Sequence, residues 1–191
     1  MGLLSLLADI LFVGHSLVGP DLPPMLDAAL RQMNEPSTVQ AQIINGASLA
    51  YNWDHASEAE GVDGRARLAS GADVLILTEA QPIADQIKGS DTAANIARFT
   101  DLAARTNPDV RVFLYETWPV LGEDTGAWQA AIAADLPLWE VAAAQGAATS
   151  GHPVTLIPVG QAFALLADEI AAGRVPEMDG PQQLFKDGQH P

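Results

Sequence analysis

Residues 10–17 read Ile-Leu-Phe-Val-Gly-His-Ser-Leu, and this stretch decides both the fold and the candidate chemistry. The apolar run before Gly14 predicts a strand that is buried on both faces, as in a parallel sheet covered by helices. Ser16 follows the strand-ending glycine by two residues. Because α/β sheets bind ligands beyond the carboxyl ends of their strands, the pattern places one hydroxyl where a substrate would bind.

Four further β-rich runs follow this strand and alternate with helical patterns. The five predicted strands cover residues 9–14, 38–44, 72–78, 110–115 and 153–159. Such alternation indicates the α/β class, with a three-layer α/β/α sandwich around a flavodoxin-like, five-stranded parallel sheet. Right-handed crossovers favour the strand order 2-1-3-4-5. We expect one domain over residues 1–191, with Pro137 kinking or dividing the helix predicted at residues 127–144.

Composition excludes several classes of function. The 191 residues include 9 Lys+Arg and 24 Asp+Glu, for a formal charge of -15, and no cysteine. A surface this acidic repels phosphate backbones and anionic lipids. We therefore expect neither nucleic-acid nor membrane partners. Disulfides and thiolate chemistry are excluded. Residues 1–8 are apolar but lack the basic residues of a signal peptide, so we expect a soluble, cytoplasmic protein.

Two residues at the far end of the chain suit Ser16 as chemical partners. A serine hydroxyl needs a base within hydrogen-bond reach, and an imidazole base needs an acceptor on its other nitrogen. Asp187 and His190, in Asp-Gly-Gln-His-Pro, can supply both groups from one tight turn. A serine after a strand-ending glycine can also be only a helix cap, so the pairing with Asp187 and His190 carries the prediction.

The chain resembles the SGNH, or GDSL-like, hydrolases at three short motifs. They are Gly14-His15-Ser16-Leu17, where the family usually has Gly-Asp-Ser-Leu or a Gly-Asn-Ser variant, Asn45-Gly46-Ala47-Ser48, and Asp187-Gly188-Gln189-His190-Pro191. The resemblance implies that Ser16 is the nucleophile, His190 the base and Asp187 the group that orients it. It also implies that the N–H groups of Ser16 and Gly46 form part of an oxyanion hole, and it requires no cofactor.

The sequence departs from the family at three places. The third oxyanion donor, an asparagine side chain after the third predicted strand, falls on Ala80, so Gln81 or Asn52 would have to replace it. His15 replaces the usual Asp or Asn, and we expect it to make local hydrogen bonds. The chain stops one residue after His190, whereas the family continues into a helix, so we expect this domain to lack the final helix.

Other constellations leave alternatives open. Glu79 and Glu116 end neighbouring predicted strands and could form the acid/base pair of a glycosidase, although buried hydrogen bonding is the simpler interpretation. Asp54 and His55, with Asp187 and His190, match no metal-ligand spacing, so we expect no metal site. A flavodoxin-like binding module without chemistry is the non-enzyme alternative.

The resemblance implies a serine hydrolase that cleaves small carboxylic esters through an acyl-enzyme, and this is the favoured prediction. Acetyl esters of a carbohydrate or a related polar compound are the expected substrates. Trp53 and Trp118, in or beside the strand-end loops, suit sugar rings or acyl chains, and packing in the core or in a lid is an equally open interpretation of both. We expect Glu79, Trp53 and Trp118 to shape substrate choice. The expected partner is therefore a small-molecule ester.

Overall fold

Strand β1 lies at the centre of a six-stranded sheet in the computed structural model, which describes residues 8–35 and 37–191. The expectation about a signal peptide therefore concerns residues that mostly lie outside the described ranges. The strands are β1 (Ala8–Gly14), β2 (Ser37–Ile43), β3 (Glu60–Gly61), β4 (Val74–Leu77), β5 (Arg111–Tyr115) and β6 (Val154–Ile157).

The helices alternate with these strands. They are α1 (Leu22–Gln32), α2 (Leu49–Asp54), α3 (Gly64–Leu68), α4 (Ile83–Gly89), α5 (Thr92–Thr106), α6 (Thr125–Ser150) and α7 (Val159–Ala171). Short 3-10 helices cover Ala56–Glu58 and Pro181–Leu184. Among the helices in the described ranges, none has the length and apolar character needed to cross a membrane.

The sheet confirms the predicted α/β class and strand order, with one correction. Its order is β3-β2-β1-β4-β5-β6. The five predicted strands correspond to β1, β2, β4, β5 and β6, which run parallel in the predicted order 2-1-3-4-5. The predicted count of five strands is wrong, because β3 adds a short antiparallel edge beside β2. Gly61 makes this pairing possible: its φ is +89°, and a side chain there would overlap the carbonyl oxygen of Ala41.

Alternation along the central strands divides the core into two layers. Leu11 and Val13 of β1 are fully buried in the cluster that includes residues of α5 and α6, whereas Ile10 and Phe12 pack in a second cluster with apolar residues of α1. Successive side chains of a strand point to opposite faces, so a strand covered on both sides is apolar throughout. This is why the first predicted strand reads as an unbroken apolar run.

Helix α6 passes through Pro137 undivided over 26 residues. A proline inside a helix removes the N–H that would bind the carbonyl four residues earlier. Here Pro137 and Ala133 are both exposed, so water can bind the carbonyl that lacks its donor. The expected division of this helix at Pro137 is therefore wrong, and the expected kink stays a prediction.

Candidate active site

Ser16 lies on a tight turn that begins where β1 ends. The carbonyl of His15 accepts hydrogen bonds from the N–H groups of Val18 (2.9 Å) and Gly19 (3.0 Å), which bends the chain around Ser16. Gly14 is required just before the turn, because a side chain there would overlap the methyl group of Thr78. The close approach of β1 and β4 thus fixes the backbone from which the Ser16 hydroxyl projects.

His15 holds this turn from inside the protein. Its side chain is buried, with Nδ1 3.4 Å from the N–H of Leu17 and Nε2 3.0 Å from the carbonyl oxygen of Glu79. Nδ1 must accept and Nε2 must donate, so the ring is neutral with its proton on Nε2. Burial lowers the pKa of His15, which favours the same neutral form. These contacts agree with the expected local hydrogen-bonding role.

The C-terminal tail is attached to the loop that follows β5. The indole N–H of Trp118 donates to the carbonyl of Gln189 (2.9 Å), and the Leu121 N–H donates to the carbonyl of Gly188 (2.7 Å). Phe185 is buried against Trp118, with ring centroids 6.0 Å apart. The tail therefore reaches the carboxyl edge of the sheet in a defined conformation.

Ser16, His190 and Asp187 form a continuous hydrogen-bonded chain across this edge. The hydroxyl oxygen of Ser16 lies 2.9 Å from Nε2 of His190, and Nδ1 of His190 lies 2.7 Å from Oδ2 of Asp187. The contacts join groups 174 positions apart in sequence. With Nδ1 donating to the carboxylate, Nε2 is free to accept the serine proton, which is the arrangement that activates a serine nucleophile.

Hydrogen bonds from backbone N–H groups stabilise the ionised form of the Asp187 carboxyl group. Its Oδ1 accepts the N–H groups of His190 (2.9 Å) and Gln189 (3.1 Å). The N–H of His190, followed by the hydrogen bond to its ring, lowers the pKa of Asp187 to about 2. The carboxylate is exposed, so hydrogen bonds rather than burial fix its position and charge.

The turn after β2 lies beside the serine turn. The N–H of Ile44 donates to the carbonyl of Gly14 (3.1 Å), which connects the two turns directly. Gly46 has a φ of +70°, a conformation that favours glycine. Asn45 lines the same cavity as Ser16 and His190. The sequence places Asn45 and Gly46 together at the end of a strand, as quoted above, but assigns a role only to the N–H of Gly46.

Comparison with solved structures identifies this architecture. A protein of Slackia heliotrinireducens whose name assigns it to the SGNH hydrolases matches with a TM-score of 0.60 at 22% identity, covering 97% of this chain and 90% of that one. The chain has the fold of the SGNH hydrolases. A DUF4886 family protein from Bacteroides uniformis matches with a TM-score of 0.68 at 14% identity, covering 96% of this chain and 75% of that one.

A third solved structure with this fold carries the name GDSL-like lipase. It comes from Parabacteroides merdae and matches with a TM-score of 0.56 at 14% identity, over 97% of this chain and 89% of that one. No family model and no curated protein matches the sequence.

The two proposed substitutes for the third oxyanion donor of the SGNH pattern are engaged elsewhere. Asn52 is fully buried, and its amide nitrogen contacts the carbonyls of Gly14 (3.3 Å) and Ser48 (3.2 Å). The Gln81 amide nitrogen contacts the hydroxyl of Thr117 (3.3 Å). Asn52 therefore packs as a structural residue, and neither contact set supports an oxyanion role.

Glu79 and Glu116 are buried acceptors in this SGNH fold. Oε1 of Glu79 accepts the N–H groups of Leu49 and Ala80, both at 2.9 Å, and its Oε2 accepts the hydroxyl of Thr92 (3.0 Å). Burial raises the pKa of Glu79. Neither a glycosidase role nor a substrate-contacting role for Glu79 is supported, because the side chain is fully buried and bonded to the protein itself.

Glu116 is bound in the same manner by α7. Its Oε1 accepts the amide of Gln161 (2.8 Å), and its Oε2 accepts the Gln161 N–H (3.3 Å). Burial raises the pKa of Glu116. The simpler interpretation of both carboxylates, buried hydrogen bonding, therefore agrees with the structure.

The two tryptophans expected to bind substrate have different positions. Trp53 packs edge-on against Phe99, with centroids 4.8 Å apart, and the guanidinium of Arg98 lies 4.4 Å from its ring centroid. Trp53 does not line the cavity beside Ser16 and therefore does not shape substrate choice there. Trp118 lines that cavity but is fully buried, so it presents no open ring face to a sugar.

The next feature is the placement of side chains that could bind a metal ion. Within residues 8–35 and 37–191, no group of three or more His, Asp and Glu side chains is placed to hold a metal ion. Asp187 and His190 are joined to each other and to Ser16.

Proposed function

We propose that the protein is a serine hydrolase of carboxylic esters that works through an acyl-enzyme. The observation that carries the proposal is the 2.9 Å contact between Ser16 Oγ and His190 Nε2, with Asp187 2.7 Å behind the imidazole. The SGNH-hydrolase fold supports the ester-hydrolase class.

In the first half of the proposed reaction, Ser16 Oγ attacks the ester carbonyl carbon while His190 Nε2 takes the hydroxyl proton. The tetrahedral intermediate carries its negative charge on the former carbonyl oxygen, toward which the N–H groups of Ser16 and Gly46 would point. The intermediate collapses when the carbon–oxygen bond to the alcohol breaks. The departing alcohol takes the proton from His190, and the acyl group stays on Ser16.

The second half restores the enzyme. Water attacks the acyl carbon while His190 Nε2 takes one of its protons. The new tetrahedral intermediate releases the carboxylic acid, and Ser16 Oγ recovers the proton from His190. Throughout both halves Asp187 keeps Nδ1 of His190 protonated and stabilises the imidazolium, so the carboxylate itself never needs to accept the proton.

The finer expectation of acetyl esters on carbohydrates receives less support. It depended on Trp53 and Trp118 as sugar-stacking surfaces, and Trp53 packs under Arg98 while Trp118 is fully buried. We therefore keep the ester class in the proposal and leave the carbohydrate out. Acetyl esters stay useful as the smallest test substrates.

Hydrolysis of p-nitrophenyl acetate by the full chain tests this proposal. We expect turnover that Ser16→Ala abolishes and that Ser57→Ala, a control at an exposed serine of the first 3-10 helix, retains. Turnover that persists in Ser16→Ala would contradict the assignment of the nucleophile. A folded protein that cleaves no ester would favour the binding-module alternative.

A further inference from the structure

A large cavity opens directly beside Ser16 and His190. Its volume is about 970 Å³, which lies within the range of small-molecule binding sites. Ser16 and His190 are among its lining residues, so an acyl group attached to Ser16 would extend into the same space. We call this space the Ser16 cavity.

The walls of the Ser16 cavity are mainly apolar. One wall comes from the turn after β1 and the start of α1, and the other from the end of β5 and the start of α7. The apolar side chains that matter most are Leu17, Leu22, Met25, Tyr115, Val159 and Phe163. Met25 is 66% exposed although it is large and apolar, and its flexible thioether can adapt to an apolar ligand.

The Ser16 cavity has few charged side chains. Asp21 and Lys186 both line it, and they form an ion pair at 3.7 Å between two exposed side chains. His190 is bonded to Ser16 and Asp187. Burial raises the pKa of Tyr115 to about 12, so its phenol stays neutral near neutral pH. Asn45 and the Tyr115 hydroxyl add two uncharged polar groups. A sugar needs more hydrogen-bonding partners than these walls provide.

We propose that the Ser16 cavity binds the acyl chain of the substrate, and that the protein prefers esters of medium-length apolar acids to acetyl esters. This inference rests on the proposed function. The acyl chain is the part of the substrate that stays attached to Ser16 through both halves of the reaction, whereas the alcohol leaves after the first half. Apolar walls that are continuous with Ser16 can therefore bind the acyl chain throughout. The alcohol part of the ester then lies outside the apolar walls.

The proposal has a quantitative consequence for substrate length. Each methylene group that moves from water into apolar surroundings strengthens binding about fourfold. Hexanoate has four more methylene groups than acetate, which would give about 250-fold if all were fully buried. The cavity is partly open, so we expect kcat/KM for p-nitrophenyl esters to rise from acetate through butyrate to hexanoate by at least about tenfold. An acetyl-specific pocket would show the opposite order, because longer chains would collide with its walls.

Two methionines on or next to α1 provide a matched pair of variants. Met25→Glu places a carboxylate on the wall of the Ser16 cavity, and we expect the hexanoate-to-acetate ratio of kcat/KM to fall about tenfold. Met33→Glu introduces the same change at a side chain that is 69% exposed and does not line the cavity, so it should keep the ratio. An unchanged ratio in Met25→Glu would overturn the assigned wall.

A binding measurement separates this inference from the proposed function. Calorimetry with ethyl hexanoate and the Ser16→Ala protein requires no turnover, and we expect binding that Met25→Glu weakens. If the full chain hydrolyses acetate better than hexanoate, the acyl-chain inference fails while the esterase proposal stands. If the full chain hydrolyses no ester, the proposed function fails, and absence of ethyl hexanoate binding then overturns the inference as well.

Discussion

The indole N–H of Trp118 donates a 2.9 Å hydrogen bond to the carbonyl of Gln189, the residue directly before His190. In return, the side-chain amide of Gln189 contacts the carbonyl of Trp118 at 3.3 Å. This pair of contacts fastens the end of the chain to the loop after β5. Trp118 was expected from the sequence to bind substrate, but its contacts position the proposed base instead.

Trp118→Phe tests this positioning role. The change keeps an apolar ring but removes the donor, so we expect a loss of about 1 kcal/mol in the free energy of unfolding. We expect kcat to fall about tenfold, because small displacements of a catalytic group are costly. Trp128→Phe is the control, because its indole N–H donates to the carbonyl of Pro119 at 2.8 Å, whereas that of Trp118 donates to Gln189. An equal loss of kcat in both variants would contradict the role.

Asp187→Asn should nearly abolish turnover while the protein stays folded. An asparagine amide facing Nδ1 of His190 would donate to it, which places the ring proton on Nε2, where it blocks acceptance of the Ser16 proton. We expect kcat to fall by about 10³- to 10⁴-fold. Steady-state kinetics with p-nitrophenyl acetate measures the loss, and circular dichroism checks the fold. A loss below tenfold would contradict the role given to Asp187.

The pKa of Asp187 predicts a specific dependence of stability on pH. Hydrogen bonds led by the N–H of His190 lower it from an ordinary 3.8 to about 2 in the folded protein. A carboxyl group with a lowered folded pKa stabilises the fold above its unfolded pKa, and that contribution disappears as pH falls through the folded pKa.

We therefore expect the difference in Tm between the unaltered protein and Asp187→Asn to be largest above pH 4 and to vanish between about pH 4 and pH 2. Because Asp187 is exposed, the difference should be small and should shrink in high salt. Thermal unfolding followed over this range of pH measures it. A difference that does not change with pH would contradict the charge state given to Asp187.

Glu79 should matter for stability and not for chemistry. Glu79→Gln keeps an oxygen for the N–H groups of Leu49 and Ala80, so we expect a folded protein that still hydrolyses esters. Glu79→Ala leaves buried donors without an acceptor, which should cost about 2–4 kcal/mol in the free energy of unfolding. Urea unfolding measures both variants. Loss of ester hydrolysis in folded Glu79→Gln would show that the Glu79 carboxylate takes part in the reaction.

The strand order was predictable because the central strands β1 and β4 are buried on both faces and carry unbroken apolar runs, and because right-handed crossovers allow few orders. Strand β3 was not, because a pairing of two residues, Glu60–Gly61, leaves no periodic pattern. The undivided α6 depends on which side of the helix Pro137 faces, which its sequence position alone does not reveal.

Some residues of the candidate site were likewise predictable from the sequence, and others were not. Ser16, Asp187 and His190 were predictable as partners because nucleophile, base and orienting group are chemically distinct residue types in short motifs. The substrate-contacting residues were not, because tertiary packing decides whether a loop side chain faces the site. Trp53 turns toward Phe99, and Glu79 turns inward to backbone N–H groups.

The central claim is that Ser16 is a nucleophile activated by His190, and covalent labelling tests it most directly. A fluorophosphonate reacts with an activated serine hydroxyl and needs no knowledge of the substrate. The account predicts one adduct per chain by intact-protein mass spectrometry, located on Ser16 by peptide sequencing, absent in Ser16→Ala and greatly slowed in His190→Ala. A folded, unaltered protein that remains unlabelled, or that is labelled at another serine, would contradict it.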